Sequence, residues 1–432
     1  MKRTAAAALF LMWMTGTGGA ETYRFTLEEA IAYGLANSTT IQSKRLAVAA
    51  ARADLGAASS GYYPSVSASA GFTYYSEAPP LSGDAPVGVS IDASQSVYTF
   101  GKLKGGVRLA GQAVAQAALD LAEENRRTVV LIKNAFYGYL LALEVAAINR
   151  ETLAAKEEAL EVARQRYQAG LVADYEVLQA ESDLESFKAT VISANNSIRV
   201  ALLNVRNVLG IEEEDFEFEL VGELEQIPVE TDREVLTHKA LSGRYELQSF
   251  KKRMETMEAG EALDRAMRLP TLAAWARYSA QSGYDPAEGR NDYGLDAWEG
   301  GWQAGLNLSV PVSAFFPWSE ESASLRKSRL QGEDLRLQYG TLESGVRIAV
   351  ETSILKIAEE RAKIASGRTS VALAERLYEA AVEQYEGGYI SSVELRDAQL
   401  RLNAARLANA QAVYDYNRNV LDLMDVVGVA EF

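Results

Sequence analysis

Few side chains in this sequence are spaced to do chemistry. Glu394 and Asp397 lie three residues apart in a helical context, so both carboxylates project from one face. Acids at that spacing attract cations, and they also decorate ordinary solvated helices. The single histidine, His238, sits in a charged, helical-looking segment where a solvated or capping role is expected. Cysteine is absent, which removes disulfides, a lipidated N-terminal Cys and thiolate metal sites. With one His and no Cys, the common catalytic and zinc constellations cannot be assembled. No nucleophile, metal or phosphate-binding arrangement stands out, so the chain is expected to be no enzyme and to need no cofactor.

The charge balance narrows the partners. Forty-three basic and 59 acidic side chains give a formal net charge of −16, which disfavours nucleic acid. The acidity fits a cation-favouring interior or simply a soluble surface. Residues 1–20 read as a secretory leader, with Lys2 and Arg3, an apolar run from Ala5 to Met14, and small residues ending at Gly18, Gly19 and Ala20. No later stretch approaches the roughly 20 consecutive apolar residues of a spanning helix, so any membrane crossing must be made by strands.

The elements that must carry the acids are long. All nine prolines lie at 64, 79, 80, 86, 228, 270, 286, 311 and 317, leaving 87–227 and 318–432 free of them. Lys102 to Ala169 is rich in Ala, Leu, Glu and Arg, and as a helix it would extend about 100 Å. Ser319 to Gly387 offers a matching length. Val177, Leu184, Phe187, Val191, Ala194, Ile198, Leu202, Val205 and Leu209 form a seam for partner helices. A second stripe runs through Leu103, Val107, Ala110, Val114, Ala117 and Leu121. Periodicity alone leaves coiled coil and ordinary bundle open, although the length disfavours a compact bundle.

Between the helical tracts the period changes to two. Val66, Ala68, Ala70, Phe72 and Tyr74 alternate with small or polar residues, as do Val87, Val89, Ile91 and Ala93, across a turn containing Pro79, Pro80 and Pro86. The pattern returns in Leu272, Ala274, Ala276, Tyr278 and Ala280, then in Trp302, Ala304, Leu306, Leu308, Val310 and Val312, with a Gly- and Asp-rich loop from Gly283 to Gly301. Each run has about the length a tilted strand needs to cross a bilayer. Tyr62, Tyr63, Tyr74, Tyr98 and Phe100, then Trp298, Trp302, Phe315, Phe316 and Trp318, cluster near the strand ends, where packing or interface anchoring would place them. Four strands cannot close a barrel, and lipid does not tolerate open edges, so a membrane reading requires oligomerisation.

The architecture occurs twice. At an offset of 218 residues Tyr167 matches Tyr385, Gly170 matches Gly388, Glu176 matches Glu394, Ala180 matches Ala398, Leu184 matches Leu402 and Gly210 matches Gly428. Thr26 with Glu29 and Thr231 with Glu234 read as capping boxes. The expected organisation is a first repeat over 21–210, with a strand hairpin at 64–100 and a helical tip near 170–174. A connector over 211–230 follows, with an acidic run Glu212 to Asp215. The second repeat covers 231–432, with a strand hairpin at 270–313 and a tip near 387–392.

This order, and the stretch Arg166-Tyr167-Gln168-Ala169-Gly170-Leu171-Val172-Ala173 followed by Glu176-Val177, resembles the TolC-like outer-membrane efflux protein family. Thr26-Leu27-Glu28-Glu29-Ala30 and Leu308-Ser309-Val310-Pro311-Val312 support the likeness. The resemblance implies an α+β membrane protein. It would be a homotrimer in which each subunit gives four strands to a twelve-stranded outer-membrane β-barrel and its helices to a periplasmic α-helical tunnel. It also implies outer-membrane lipid around the barrel, a periplasmic adaptor at the helical tips, an inner-membrane pump beyond it, and a passive export function. A periplasmic adaptor is the alternative, but it should hold one helical hairpin within compact β domains, whereas this chain alternates strands and helices twice. A cell-surface coiled-coil protein would leave the strand hairpins unexplained.

By the same resemblance Glu394 and Asp397 occupy the pore-constricting carboxylate positions, Tyr385 and Glu176 the tyrosine and acid of the gate, and Gly170, Leu171, Val172, Gly388, Tyr389 and Ile390 the adaptor-docking tips. The family's gate arginine falls on Ile390, and Arg396, two turns along the next helix, is the possible substitute.

Overall fold

The computed structural model describes residues 23–73, 87–211, 218–285, 290–292 and 298–431. The expected leader, Tyr74, the prolines at 79, 80 and 86, and the acidic run from Glu212 lie outside them. In chain order the elements are β1 (Tyr23–Phe25), α1 (Leu27–Asn37), α2 (Thr39–Ser60), β2 (Ser65–Phe72), β3 (Val87–Tyr98), α3 (Lys102–Gln168), α4 (Asp174–Leu209) and β4 (Phe218–Leu220). The second half continues with α5 (Arg233–Gly243), α6 (Tyr245–Met267), β5 (Thr271–Asp285), β6 (Arg290–Asp292), β7 (Trp298–Ser309), a 3₁₀ turn (Val312–Phe315), α7 (Glu320–Glu386) and α8 (Ser392–Val427).

The duplication is closer in the structure than in the sequence. Helices α3 and α7 each have 67 residues, and α4 and α8 each have 36. Because α3 begins at Lys102 and α7 at Glu320, the 218-residue offset holds along the whole of both long helices and not only at the downstream positions where identity marks it. The absence of proline permits such lengths. Gly210 and Gly428 close α4 and α8 in the left-handed conformation.

The chain divides into two compact units, each built from both repeats. One comprises residues up to Gln42, Glu124–Arg244 and the chain from Val346 onward. Its core gathers Phe25, Ala30, Ile132, Phe136, Tyr139, Leu140, Val205, Leu209, Phe218 and Leu220. The α4 seam supplies Val205 and Leu209 to it, and Leu184 and Ala194 on the same seam are buried elsewhere along the helix. One stretch of α3 is long and apolar enough to cross a membrane by composition, and α3 is apolar here because Ile132, Phe136 and Leu140 enter this core. Strand β1 pairs in parallel with β4. The connector beyond β4 is pinned by Asn417, fully buried, whose amide donates to Glu225 O at 2.7 Å and accepts from Ile227 N at 2.9 Å. A buried amide with both ends satisfied fixes that crossing at little cost.

Helix α1 starts with the expected box: Thr26 Oγ1 accepts from Glu29 N, and the Glu29 carboxylate accepts from Thr26 N. At α5 the structure corrects the reading. The cap is Asp232, which accepts from Glu234 N and Val235 N, rather than Thr231. The helix begins one residue later because a carboxylate reaches two of its unpaired N–H groups.

The other unit comprises Ser43–Glu123 and Tyr245–Gly345. It holds an antiparallel sheet in the order β2-β3-β5-β7, with β6 pairing only the distal end of β5. The second expected loop therefore carries a short strand of its own. Strand β7 stops at Ser309, so Val310 and Val312 leave the ladder. Pro311 has no N–H to give it, and Val312 opens the 3₁₀ turn. One face of the sheet presents Val66, Ala68, Ala70, Val89, Ile91, Ala276, Tyr278, Trp302, Ala304 and Leu306 in matched rows. Val66, Ile91, Tyr278, Trp302 and Leu306 are all exposed. The opposite face is mostly Ser, Gly, Gln and Asn.

Candidate functional site

The two helical hairpins of the first unit end in turns of the same construction. After α3, Gly170 takes φ +72°. Its N–H donates to Tyr167 O and that of Leu171 donates to Arg166 O. After α7, Gly388 takes φ +76°, with Gly388 N donating to Tyr385 O and Tyr389 N to Gln384 O. A left-handed residue followed by this pair of bonds satisfies the last helical carbonyls, and glycine adopts it without a Cβ penalty. The turns present Leu171 and Tyr389 to solvent at 69% and 85% exposure. Val172 and Ile390 are half-buried.

The helices that follow are opened differently. Ser391 caps α8: its hydroxyl accepts from Glu394 N, and the Glu394 carboxylate accepts from Ser391 N at 2.8 Å and from Ser391 Oγ at 3.0 Å. The backbone bond first, and the hydroxyl second, hold the Glu394 carboxyl below its ordinary range. At the start of α4 the corresponding residue is Ala173, which has no side-chain cap bond. Glu176, the repeat-mate of Glu394, is left without a hydroxyl to cap and lines a cavity instead.

That cavity, about 80 Å³, lies between the two hairpins. Its charged lining is Lys156, Glu176, Asp183 and Arg396, with Tyr378 and Tyr385 beside them. Tyr385 is buried at 6% exposure. Arg166 lies 4.6 Å from its ring centroid and donates from Nη1 to its carbonyl oxygen at 3.0 Å. Arg396 Nη1 donates to Asp183 Oδ2 at 3.0 Å. Lys156 sits 5.4 Å from the Phe187 ring centroid. Burial pushes its pKa down, with Arg396 adding to the effect and Asp183 opposing it. Farther along the same seam Arg406 donates to Glu375 Oε1 at 2.8 Å and to Glu151 Oε2 at 2.7 Å, so one guanidinium joins α8, α7 and α3. Arginine suits such places because its planar donors serve two acceptors at once.

The expected residues therefore separate. Glu176 and Tyr385 share the cavity. Glu394 and Asp397 stand outside it: Glu394 is engaged in the cap, and Asp397 pairs with Arg401 Nε at 2.8 Å on the exposed side of α8. Arg396, about one turn into α8, does reach the facing hairpin, and its partner is Asp183. Arg166, Asp183 and Lys156 carry much of the geometry and were not singled out from the sequence. Comparing Arg166 with Gln384 at the repeat offset would have drawn attention to it. His238 is exposed on α5, and its carbonyl accepts from Ser242. Among the described residues no group of three or more His, Asp or Glu is placed to hold a metal ion.

The family model described as outer membrane efflux protein matches residues 31–211 and 236–429. The chain is 22% identical over 420 residues to the outer membrane efflux protein BepC of Brucella suis, covering 96% of this chain and 87% of that one. It is 23% identical over 381 residues to the outer membrane protein TolC of Escherichia coli, covering 84% and 74% respectively. Among solved structures the CmeC outer membrane channel of Campylobacter jejuni superposes with a TM-score of 0.78 at 18% identity, over 94% of this chain and 86% of that one.

Proposed function

The chain belongs to the outer membrane efflux protein family, and from that premise we propose that it is one subunit of a homotrimeric export duct of the bacterial outer membrane. Cargo passes through it from a periplasmic adaptor and an inner-membrane pump, and the protein conducts rather than catalyses. The single observation that carries the reading is the four-stranded sheet. Its exposed apolar face demands lipid, and among the described residues its outer strands β2 and β7 each leave an unpaired edge that lipid forbids. Joining β7 of one copy to β2 of the next closes the ladder, and twelve strands from three copies make a barrel. An adaptor would have no use for such a face.

The helical tips are the periplasmic mouth. Leu171, Val172, Tyr389 and Ile390, carried on the Gly170 and Gly388 turns, offer the adaptor its contact. Arg166 over Tyr385 and Arg396 on Asp183 hold a subunit's two hairpins together there, in place of the arginine that Ile390 cannot supply. Glu394 and Asp397, repeated by three-fold symmetry, ring the mouth with carboxylates and favour cations. The decisive experiment is the native mass of the particle extracted from outer membranes in mild detergent. Three chains per particle are expected, and a soluble periplasmic monomer would overturn the duct. Neutralising the ring with Glu394→Gln and Asp397→Asn is expected to lower cation preference in single-channel recordings. Unchanged selectivity would remove both from the pore.

A further inference from the structure

The polar face of the sheet is not uniformly neutral. In the strand register Ser67 faces Asp92, Asp92 faces Arg277 and Arg277 faces Gln303, so one transverse row crosses all four strands. The Arg277 Nε donates to Asp92 Oδ1, and Ser90 Oγ donates to Asp92 Oδ2 at 3.0 Å. The rows on either side are small or uncharged: Ser69, Ser90, Ser279 and Gly301 on one, Ser65, Ser94, Trp275 and Gly305 on the other. Glu299, near the start of β7, faces Gln281 on the same face, two rows from the pair. An ion pair in the middle of a serine-lined wall is not needed to pack anything, since both partners remain partly exposed.

We propose that the Asp92–Arg277 row is a specificity-determining belt inside the barrel, at which Arg277 meets anionic groups on passing solutes. This rests on the closed-barrel reading, in which the apolar face meets lipid and the polar face lines the lumen. Asp92 is occupied on one oxygen by Arg277 and on the other by Ser90, so it offers a solute little. Arg277 uses its Nε for the pair, and its terminal nitrogens are the donors suited to a carboxylate or phosphate. Three-fold closure places three such pairs around one level of the lumen. The belt carries no net charge but alternates in sign, whereas the carboxylates of the mouth are of one sign. A solute carrying both charges would thus meet a matching element at each, and the duct would filter in two stages rather than one.

Ion selectivity of the reconstituted full-length protein tests this. Glu394→Gln with Asp397→Asn serves as background, so that the carboxylate ring proposed for the mouth is removed. Adding Arg277→Gln leaves three unpaired carboxylates and is expected to raise the potassium-to-chloride permeability ratio about two-fold, whereas adding Asp92→Asn is expected to lower it by a similar factor. Conducting trimers in which neither change moves the ratio would overturn the belt. A wild-type protein that forms no trimer and no channel would instead overturn the barrel, and the belt with it. Should either charge variant fail to assemble, the cysteine-free chain allows a second measurement. Ser67→Cys in the row and Ala68→Cys on the opposite face are each treated with a charged, water-soluble thiosulfonate during recording. Reaction at Ser67→Cys alone, with a fall in conductance, supports the belt. Reaction at Ala68→Cys alone, or at neither, places the row outside the path.

Discussion

The two hairpin tips share a frame and differ in what they do with it. Both end a 67-residue helix at a left-handed glycine, begin a 36-residue helix, and carry a glutamate three positions after its cap. In the second tip the cap is Ser391, and Glu394 is drawn back to the helix end. In the first it is Ala173, and Glu176 turns into the cavity. The duplicated acid thus folds back on the helix end in one copy and faces the cavity in the other. The tyrosines diverge as well: Tyr385 is buried under Arg166, while Tyr167 is 47% exposed, because the residue that would cover it is Gln384 rather than an arginine. Duplication supplied the scaffold, and single substitutions gave the two copies opposite halves of one contact.

The comparison is broken most directly at the arginine. Arg166→Ala removes a charge-assisted hydrogen bond and a cation–π contact from a half-buried position, together worth about 2–4 kcal/mol. Single-channel conductance is expected to rise as the mouth loosens, while Gln384→Ala, its repeat-mate, leaves conductance as it was. An equal effect from both would mean that the tips are interchangeable. Next in size are the glycines. Gly170→Ala and Gly388→Ala should each cost about 1–2 kcal/mol, since both force a Cβ into the left-handed region. Thermal unfolding should show the two losses alike, because the turns are.

The caps offer a smaller and sharper test. Ser391→Ala should cost about 1 kcal/mol, and Ala173→Ser should gain a similar or lesser amount by recruiting Glu176 into a capping box. Stability measured on the double exchange should be close to that of the original, with the cavity acid now on the other tip. The smallest effect is with pH. The Ser391 bonds lower the folded pKa of Glu394 below its unfolded value, so its contribution is present above roughly pH 4.3 and is lost only as pH falls through the depressed value. Cation preference should therefore survive acidification past the ordinary glutamate range, and Ser391→Ala should move its loss to higher pH.

Much of this was legible in the sequence, for identifiable reasons. Proline placement and period marked the helices and strands, and the glycines at 170, 388, 210 and 428 marked turns that only their residue type tolerates cheaply. The Asp232 cap was obscured because Thr231 and Glu234 satisfy the same spacing, and only geometry shows which oxygen reaches the free N–H groups. Arg166 with Tyr385, and Arg396 with Asp183, join positions more than 200 residues apart. Local pattern says nothing of such contacts. The Asp92–Arg277 pair escaped notice for another reason: alternation identifies a face by its apolar members and treats the other face as filler.

The equal length of the two long helices also limits how this protein can evolve. Each inserted residue advances a helix by about 1.5 Å and turns it by about 100°. One insertion between Glu124 and Arg166 would carry the arginine off the Tyr385 ring unless α7 gained the same number. Lineages that lengthen or shorten this hairpin pair should therefore do so in matched steps in both copies, most readily by whole heptads, which preserve the seam. A length change confined to one copy would mark a relative that has given up this contact.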